Sequence, residues 1–329
     1  MKRAIIWILV IAVVAVGIWY FTANRRPASP VQLQNITIAQ AFQVFLYAPL
    51  YVAQNQGFFR DQGLNVNIAT AGGDEQAFAA LLSGDAQFAV GDPTFTAISG
   101  EKGQPGVVLA SVLDGVPFWG VAKSSVPVIT SPSMLKGYKV ATYPAPNTAY
   151  ELQVAMFKSA NLQPNIVQIA PGGLLPALDA GKIDIALELE PNVSTALING
   201  DHIVYSLSNY YPTFAITGLT ALPSYVQSNG PTAQKVVNAL KRADDYIRAN
   251  PTSTADFLAG MFQVSSTIAE NAVQNMIAAK VIPESLVVDP QGWNAAIQLQ
   301  VQTGDLKQAE PYSQYVNTTF AEQAMNSVR

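Results

Sequence analysis

The chain has 329 residues, with 18 Lys and Arg against 22 Asp and Glu, one His and no Cys. Without a thiol there can be no disulfide, thiolate metal site or cysteine nucleophile. A formal net charge of −4, with no basic block past Arg26, leaves a nucleic acid no electrostatic footprint. The length allows one large or two medium domains with well-buried cores.

From Ala4 to Phe21 every residue is apolar or Gly. An 18-residue helix rises about 27 Å, close to the hydrocarbon thickness of a bilayer. Lys2 and Arg3 precede the run, and YFTANRRPASP follows it without a clear A-x-A site. We read residues 1–3 as a cytoplasmic tip, 4–24 as a transmembrane signal anchor and 25–34 as a polar tether. A cleaved signal is the alternative. Charge does not settle the orientation, because Lys2 and Arg3 nearly balance Arg25 and Arg26.

Beyond the tether, strands and helices alternate. NITIAQ (35–40) reads as a strand and 49–56 as a short helix, after which Gly57 can take the left-handed turn that lets Phe58 and Phe59 fold back as apolar anchors. Residues 63–69 alternate apolar and polar, predicting a second strand. Gly72-Gly73-Asp74 opens a helix with an acid at its positive end. AQFAV (86–90) is a third strand, followed by Gly91-Asp92-Pro93-Thr94, and the strand pair VVLASVLD and FWGVAKS completes a first half near residue 123. SPSMLKGYKV (131–140) starts a second series, with a helix over 149–161, the strand IVQIAP and the helix–turn–strand GGLLPALDAGKIDIALELEP. That last run repeats the layout of ALLSGDAQFAVGDP. From Pro231 onward the pattern is helical and reads as padding for the first half.

Strands alternating with helices predict a mostly parallel sheet in each half. In such sheets ligands bind beyond the carboxyl ends of the strands, against helix N-termini. Applied here, that rule selects Gln43, Phe45 and Tyr47 after the first strand, Gly73 and Asp74 after the second, and Asp92 and Thr94 after the third. It selects Tyr143, Asn147, Thr148, Glu188 and Glu190 in the second half, with Asp114 and Trp119 near the side between halves. These loops hold five carboxylates and no Lys or Arg; Lys123 is the nearest cation. Carboxylates facing aromatics suit a neutral or cationic ligand rich in N–H donors.

The segment LYVAQNQGFFRDQGLNV (50–66), with its Gly-Phe-Phe break, resembles the first unit of extracytoplasmic solute-binding proteins for sulfonate, taurine, nitrate and thiamine-pyrimidine uptake. SPSMLKGYKV is similar to their S-x-x-D-L-K-G-K-K-V run, with Met134 in place of the Asp. Glu190-Pro191 is similar to their W-E-P signature, with Leu189 in place of the Trp. The order of these motifs over residues 35–322 carries the resemblance. It implies a two-lobed α/β type II periplasmic binding protein fold behind an N-terminal transmembrane helix. Residues 35–123 and 210–329 would form lobe 1 and 124–209 lobe 2, hinged near 121–126 and 206–215. It further implies a monomeric receptor on the outer face of the cell membrane that delivers a small molecule to an ABC permease and its ATPase. The ligand expected from the charge inventory is a thiamine-precursor pyrimidine or similar heteroaromatic, and the alternative is an alkanesulfonate or taurine. No cofactor, metal or enzymatic activity is expected. The family's pyrimidine-synthase branch needs a cysteine-rich motif that this chain lacks, and a sensor domain would need a separate output chain.

Overall fold

The computed structural model describes residues 32–145 and 147–327. The expected tip and anchor, and most of the tether, lie outside the described residues. Among the described residues no helix is long and apolar enough to cross a membrane.

Among the described residues ten strands form two five-stranded sheets. The first contains β1 (Gln34–Gln40), β2 (Leu64–Thr70), β3 (Phe88–Gly91), β4 (Val107–Leu113) and β10 (Thr217–Ala221), in the order β2-β1-β3-β10-β4. The second contains β5 (Trp119–Ala122), β6 (Val140–Thr142), β7 (Ile166–Gln168), β8 (Ile185–Glu188) and β9 (His202–Ser206), in the order β7-β6-β8-β5-β9. β1 and β3 run parallel, as do β6 with β7 and β8. β10 is antiparallel to β3 and β4, and β5 to β8 and β9. Both sheets are therefore mixed, not simply parallel. In each, the reversed strand is the one that arrives from the other sheet without an intervening α-helix.

The placement of β5 corrects the expected boundary. FWGVA reads as the partner of the preceding strand, but its backbone pairs with β8 and β9. Gly120 faces the Tyr205 ring of β9 so closely that a Cβ would not fit. The chain thus passes between sheets at residues 114–118 rather than after 123, and returns through 207–216. The strand β10 was not anticipated at all.

Between β1 and β4 lie a 3-10 turn (Phe45–Tyr47) and four α-helices: α1 (Ala48–Asn55), α2 (Phe58–Asp61), α3 (Asp74–Ser83) and α4 (Phe95–Gly100). Gly57 does adopt φ 74°, which turns Phe59 into the core and sets Phe58 beneath the Arg242 guanidinium, 4.3 Å from the ring centre. The second sheet carries α5 (Thr148–Ser159), α6 (Leu174–Asp179) and α7 (Asn192–Ile198). Six helices complete the chain: α8 (Pro223–Ala249), α9 (Pro251–Phe262), α10 (Ser266–Ala278), α11 (Pro290–Thr303), α12 (Tyr312–Tyr315) and α13 (Thr319–Ser327). α8 packs along α1 and β4, whereas α10 also reaches α7 and α11 reaches α5, so this helical layer touches the helices of both sheets.

Candidate ligand-binding site

The carboxyl ends of the two sheets face one cavity of about 600 Å³. Each wall follows from local sequence. Pro93 and Pro191 end β3 and its counterpart β8 by removing a backbone donor, and each releases the chain into a short helix. Gly72, at φ 93°, supplies a left-handed turn between β2 and α3. The lining includes the aromatic rings of Phe42, Phe45, Tyr47, Phe95, Phe118, Tyr143 and Phe262 and the carboxylates of Asp74, Glu75, Asp92 and Glu190. Among the described residues no Lys, Arg or His lines it.

Asp92 is held on every side. Its Oδ1 accepts the Thr94 backbone N–H at 2.9 Å and the Thr94 hydroxyl at 2.6 Å. Its Oδ2 accepts the Thr148 hydroxyl at 2.9 Å, a bond that runs from the helix after β6 to the end of β3 and so joins the two sheets. Asp74 lies beside it. Its Oδ1 accepts the Asp92 backbone N–H at 2.8 Å, an approach made possible by Gly91, whose missing Cβ would stand 2.6 Å from that oxygen. Asp74 is half-buried, open to the cavity but walled by protein. Burial, with the nearby Asp92 charge, pushes its carboxyl up to about 7. Burial also raises Asp92, against the pull of its Thr donors.

On the facing wall, Glu190 accepts the Ser194 N–H at Oε2 (3.0 Å), and the Ser194 hydroxyl (3.1 Å) and Asn275 amide (2.8 Å) at Oε1. Burial raises its carboxyl. Glu151, in the first turn of α5, is buried near Asp92, Asp305 and Asp74; burial first, then these charges, push it up to about 8. The Gln300 amide of α11 approaches its Oε2 at 3.4 Å.

These bonds have a common consequence. A helix N-terminus is normally an anion site, yet three of those that face this cavity, the starts of α4, α5 and α7, are met by the protein's own acceptors. At α3 no side chain caps the first turn, although Asp74 and Glu75 place acidic charge there. Asp92 takes an amide of the turn into α4, Asn147 accepts the Ala149 N–H of α5 at 3.0 Å, and Glu190 takes the Ser194 N–H of α7.

Of the residues selected from sequence, Gln43, Phe45, Tyr47, Gly73, Asp74, Asp92, Tyr143, Asn147, Thr148 and Glu190 line the cavity. Four do not. Thr94 is buried behind Asp92 as its donor. Glu188 stands behind Tyr143, whose hydroxyl donates to its Oε2 at 2.6 Å. Trp119 is buried opposite Glu188 in the β5–β8 ladder. Asp114, held by the Ser111 hydroxyl at 2.9 Å, faces a separate cavity of about 440 Å³ beside the sheet-to-sheet crossings. Lining residues that strand-end reasoning did not single out include Phe118 and Ile216 of the crossings, Thr217 at the start of β10 and Phe262 of α9. Lys123 is paired with Asp179 at 2.6 Å and Asp201 at 2.8 Å, away from the cavity.

Two facing α/β halves with a ligand-sized cleft between their strand ends define a periplasmic-binding-protein-type fold, and the comparisons agree. The NMT1/THI5-like family model matches residues 45–254, and the chain belongs to that family. YtlA of Bacillus subtilis (strain 168) is 22% identical over 316 residues, covering 88% of this chain and 90% of YtlA. Among solved structures, the periplasmic aliphatic sulphonate binding protein SsuA of Escherichia coli aligns with TM-score 0.71 at 16% identity, over 88% of this chain and 93% of its own. The ligand-binding component of an ABC-type import system from Staphylococcus aureus, with zinc bound, gives 0.70 at 16% over 88% and 99%. The periplasmic nitrate-binding protein NrtA of Synechocystis PCC 6803 gives 0.67 at 12% over 91% and 90%.

Proposed function

We propose that this chain is the extracytoplasmic solute receptor of an ABC importer, and that it takes a neutral or cationic heteroaromatic ligand with N–H donors, of the thiamine-precursor pyrimidine class. Family membership supports the receptor role. The ligand class rests on one observation: the cavity is walled by aromatic rings and carboxylates, three of the helix ends that face it are met by the protein's own acceptors, and no cation lines it among the described residues. A flat ring of about ten heavy atoms fits among such aromatics, and its N–H groups find acceptors.

A sulfonate is the competing ligand, because SsuA has this fold and is named as a sulphonate binder. An anion at the start of α3 would meet the carboxylates of Asp74 and Glu75 and face Asp92 with no cation among the described lining residues. No enzymatic role is proposed. The apolar run 4–21 supports a receptor held at the membrane beside its permease. Intact mass of the native protein should then include Trp7.

The ligand test is a thermal-shift panel of aminopyrimidines, flavins, polyamines, taurine, alkanesulfonates and nitrate. A ligand at 100 times its Kd stabilises by about 2.7 kcal/mol. A shift confined to sulfonates or nitrate would overturn the heteroaromatic reading and leave the receptor role standing.

A further inference from the structure

We infer that ligand selection in the cleft rests on Asp74, whereas Asp92 and Glu190 spend their oxygens holding the closed form together. The inference rests on the receptor reading above and adds to it the residue that reads the ligand's donor group.

The argument is one of acceptor capacity. An ionised carboxylate offers about four lone-pair sites on two oxygens. Asp92 receives three donors, two from Thr94 and one from Thr148. Glu190 also receives three, two from Ser194 and one from Asn275. In each case one donor comes from a part of the fold beyond the acid's own strand end: Thr148 reaches from the second sheet's helices to β3, and Asn275 from the C-terminal helices to the end of β8. Such bonds form only when the walls of the cleft are together. Asp74 differs. The Asp92 N–H is the only bond it accepts from another residue among the described residues, and that bond takes Oδ1. Its Oδ2 is left for a donor arriving in the cavity, and Tyr47 and Phe42 line the same side.

The chemistry that Oδ2 asks for is an N–H group, and a cationic one above all, such as an amidine-like or aminopyrimidine nitrogen. Hydrogen bonds to charged groups are the strong ones, and this one would form in a cavity from which ligand excludes water. Asp74→Asn keeps the size but turns half of the group into a donor. That change should weaken donor ligands by about 10- to 150-fold without opening the cleft. Thr148→Val and Asn275→Ala leave all three acids in place and remove one closing bond each. They should widen the cleft and weaken all ligands alike.

The experiment combines two readouts on the full chain with spin labels on either side of the cleft. Pulsed dipolar spectroscopy reports closure, and calorimetry reports affinity for 4-aminopyrimidine, benzamidine, spermidine, 4-pyrimidinone and methanesulfonate. The expected result is selective loss of the amino and amidine probes in Asp74→Asn at an unchanged label distance, with a longer distance in Thr148→Val and Asn275→Ala. If donor probes bind Asp74→Asn as tightly as wild type, the ligand reading stands and the assignment to Asp74 falls. If Asp74→Asn widens the cleft as much as Thr148→Val does, Asp74 is a closing residue like the others. If methanesulfonate alone binds wild type, the heteroaromatic reading itself fails.

Discussion

The ends of β3 and β8 are built alike and differ in one acid. Each strand runs into a carboxylate followed by proline, Asp92-Pro93 and Glu190-Pro191, and each carboxylate binds an amide in the turn that follows. Each also accepts a hydroxyl from that same residue and a third donor from farther away. The difference lies in the neighbouring acid. Beside Asp92 stands Asp74, with one oxygen uncommitted and open to the cavity. Near Glu190 stands Glu188, buried behind Tyr143 and receiving the Tyr143 hydroxyl and the Asn192 amide at 3.0 Å on a single oxygen. One end keeps its second acid for the cavity, and the other shields it. Position beyond a strand end therefore says where an acid can act, and the donors already around it say whether it is free to.

The largest expected effect concerns Glu151, the acid that faces the β3 end from the opposite wall. Its folded value of about 8 lies above its ordinary 4.5. Between those values the folded state binds more protons than the unfolded one. Stability should therefore be greatest below pH 4.5 for this group and fall as pH rises toward 8, by up to about 1.4 kcal/mol per unit. Glu151→Gln should flatten that slope in urea titrations at pH 5, 7 and 9. An unchanged slope would mean that Glu151 is charged in the fold.

Gly91→Ala should come next. A methyl 2.6 Å from Asp74 Oδ1 and 3.4 Å from the Ala41 Cβ must displace the carboxylate, since β3 is a central strand with little room to shift. Overpacking of this kind costs about 1–3 kcal/mol, and binding of a donor ligand should fall about tenfold or more as Asp74 moves. No glycine serves this purpose at the β8 end, so the change has no counterpart there. Chemical denaturation and calorimetry on the same variant separate the two effects.

A third expectation is the pH dependence of cation binding. The charged groups around Asp74 are Asp92, Glu151 and the neighbouring Glu75, with the Tyr47 hydroxyl above them. Among the described residues no cation offsets them, so the free form holds a proton on Asp74 below about pH 7. A cationic ligand must release it. Affinity for benzamidine should therefore rise with pH, by up to about tenfold per unit, and level off above about 7. Asp74→Asn should remove the rise. Its persistence in that variant would assign the titration to Glu151.

Much of this was legible in the chain. Gly72-Gly73-Asp74, Gly91-Asp92-Pro93 and Glu190-Pro191 are punctuation with a physical meaning, and rules for strand ends place them on the cavity wall. What could not be read was partner choice. FWGVA is apolar whichever sheet it joins, and only its pairing with β8 and β9 places it in the second. ITGLTA is interrupted by Gly218 and shows no clean apolar–polar alternation, so β10 passed unseen, and with it Ile216 and Thr217 as lining residues. Phe262 is one apolar residue among many on a helix, and nothing local shows that its helix end meets Phe45 across 5.4 Å. Glu188 and Glu190 alternate as strand residues facing one side would, but the strand stops at Glu188. The loop then turns Glu190 to the cavity and leaves Glu188 behind Tyr143.

The smallest expected effect is a difference, that between the two hydroxyls that hold the paired acids. Thr94 Oγ1 donates to Asp92 at 2.6 Å and Ser194 Oγ to Glu190 at 3.1 Å. Thr94→Val and Ser194→Ala each delete one hydroxyl and leave the backbone N–H bond to the same carboxylate. The shorter bond is the stronger. Asp92 also has another acid within reach, so losing a donor there leaves more charge unbalanced. Thr94→Val should cost about 1.5–3 kcal/mol and Ser194→Ala about 0.5–1.5 kcal/mol, read from urea midpoints at constant slope. After the loss each acid keeps a partner on each oxygen, Asp92 through the Thr94 N–H and Thr148 and Glu190 through the Ser194 N–H and Asn275, so the difference rests on bond length and on the neighbouring Asp74. A cost for Ser194→Ala equal to that of Thr94→Val would show that the β8 end depends on its hydroxyl as fully as the β3 end does, and that neither bond length nor Asp74 sets the two apart.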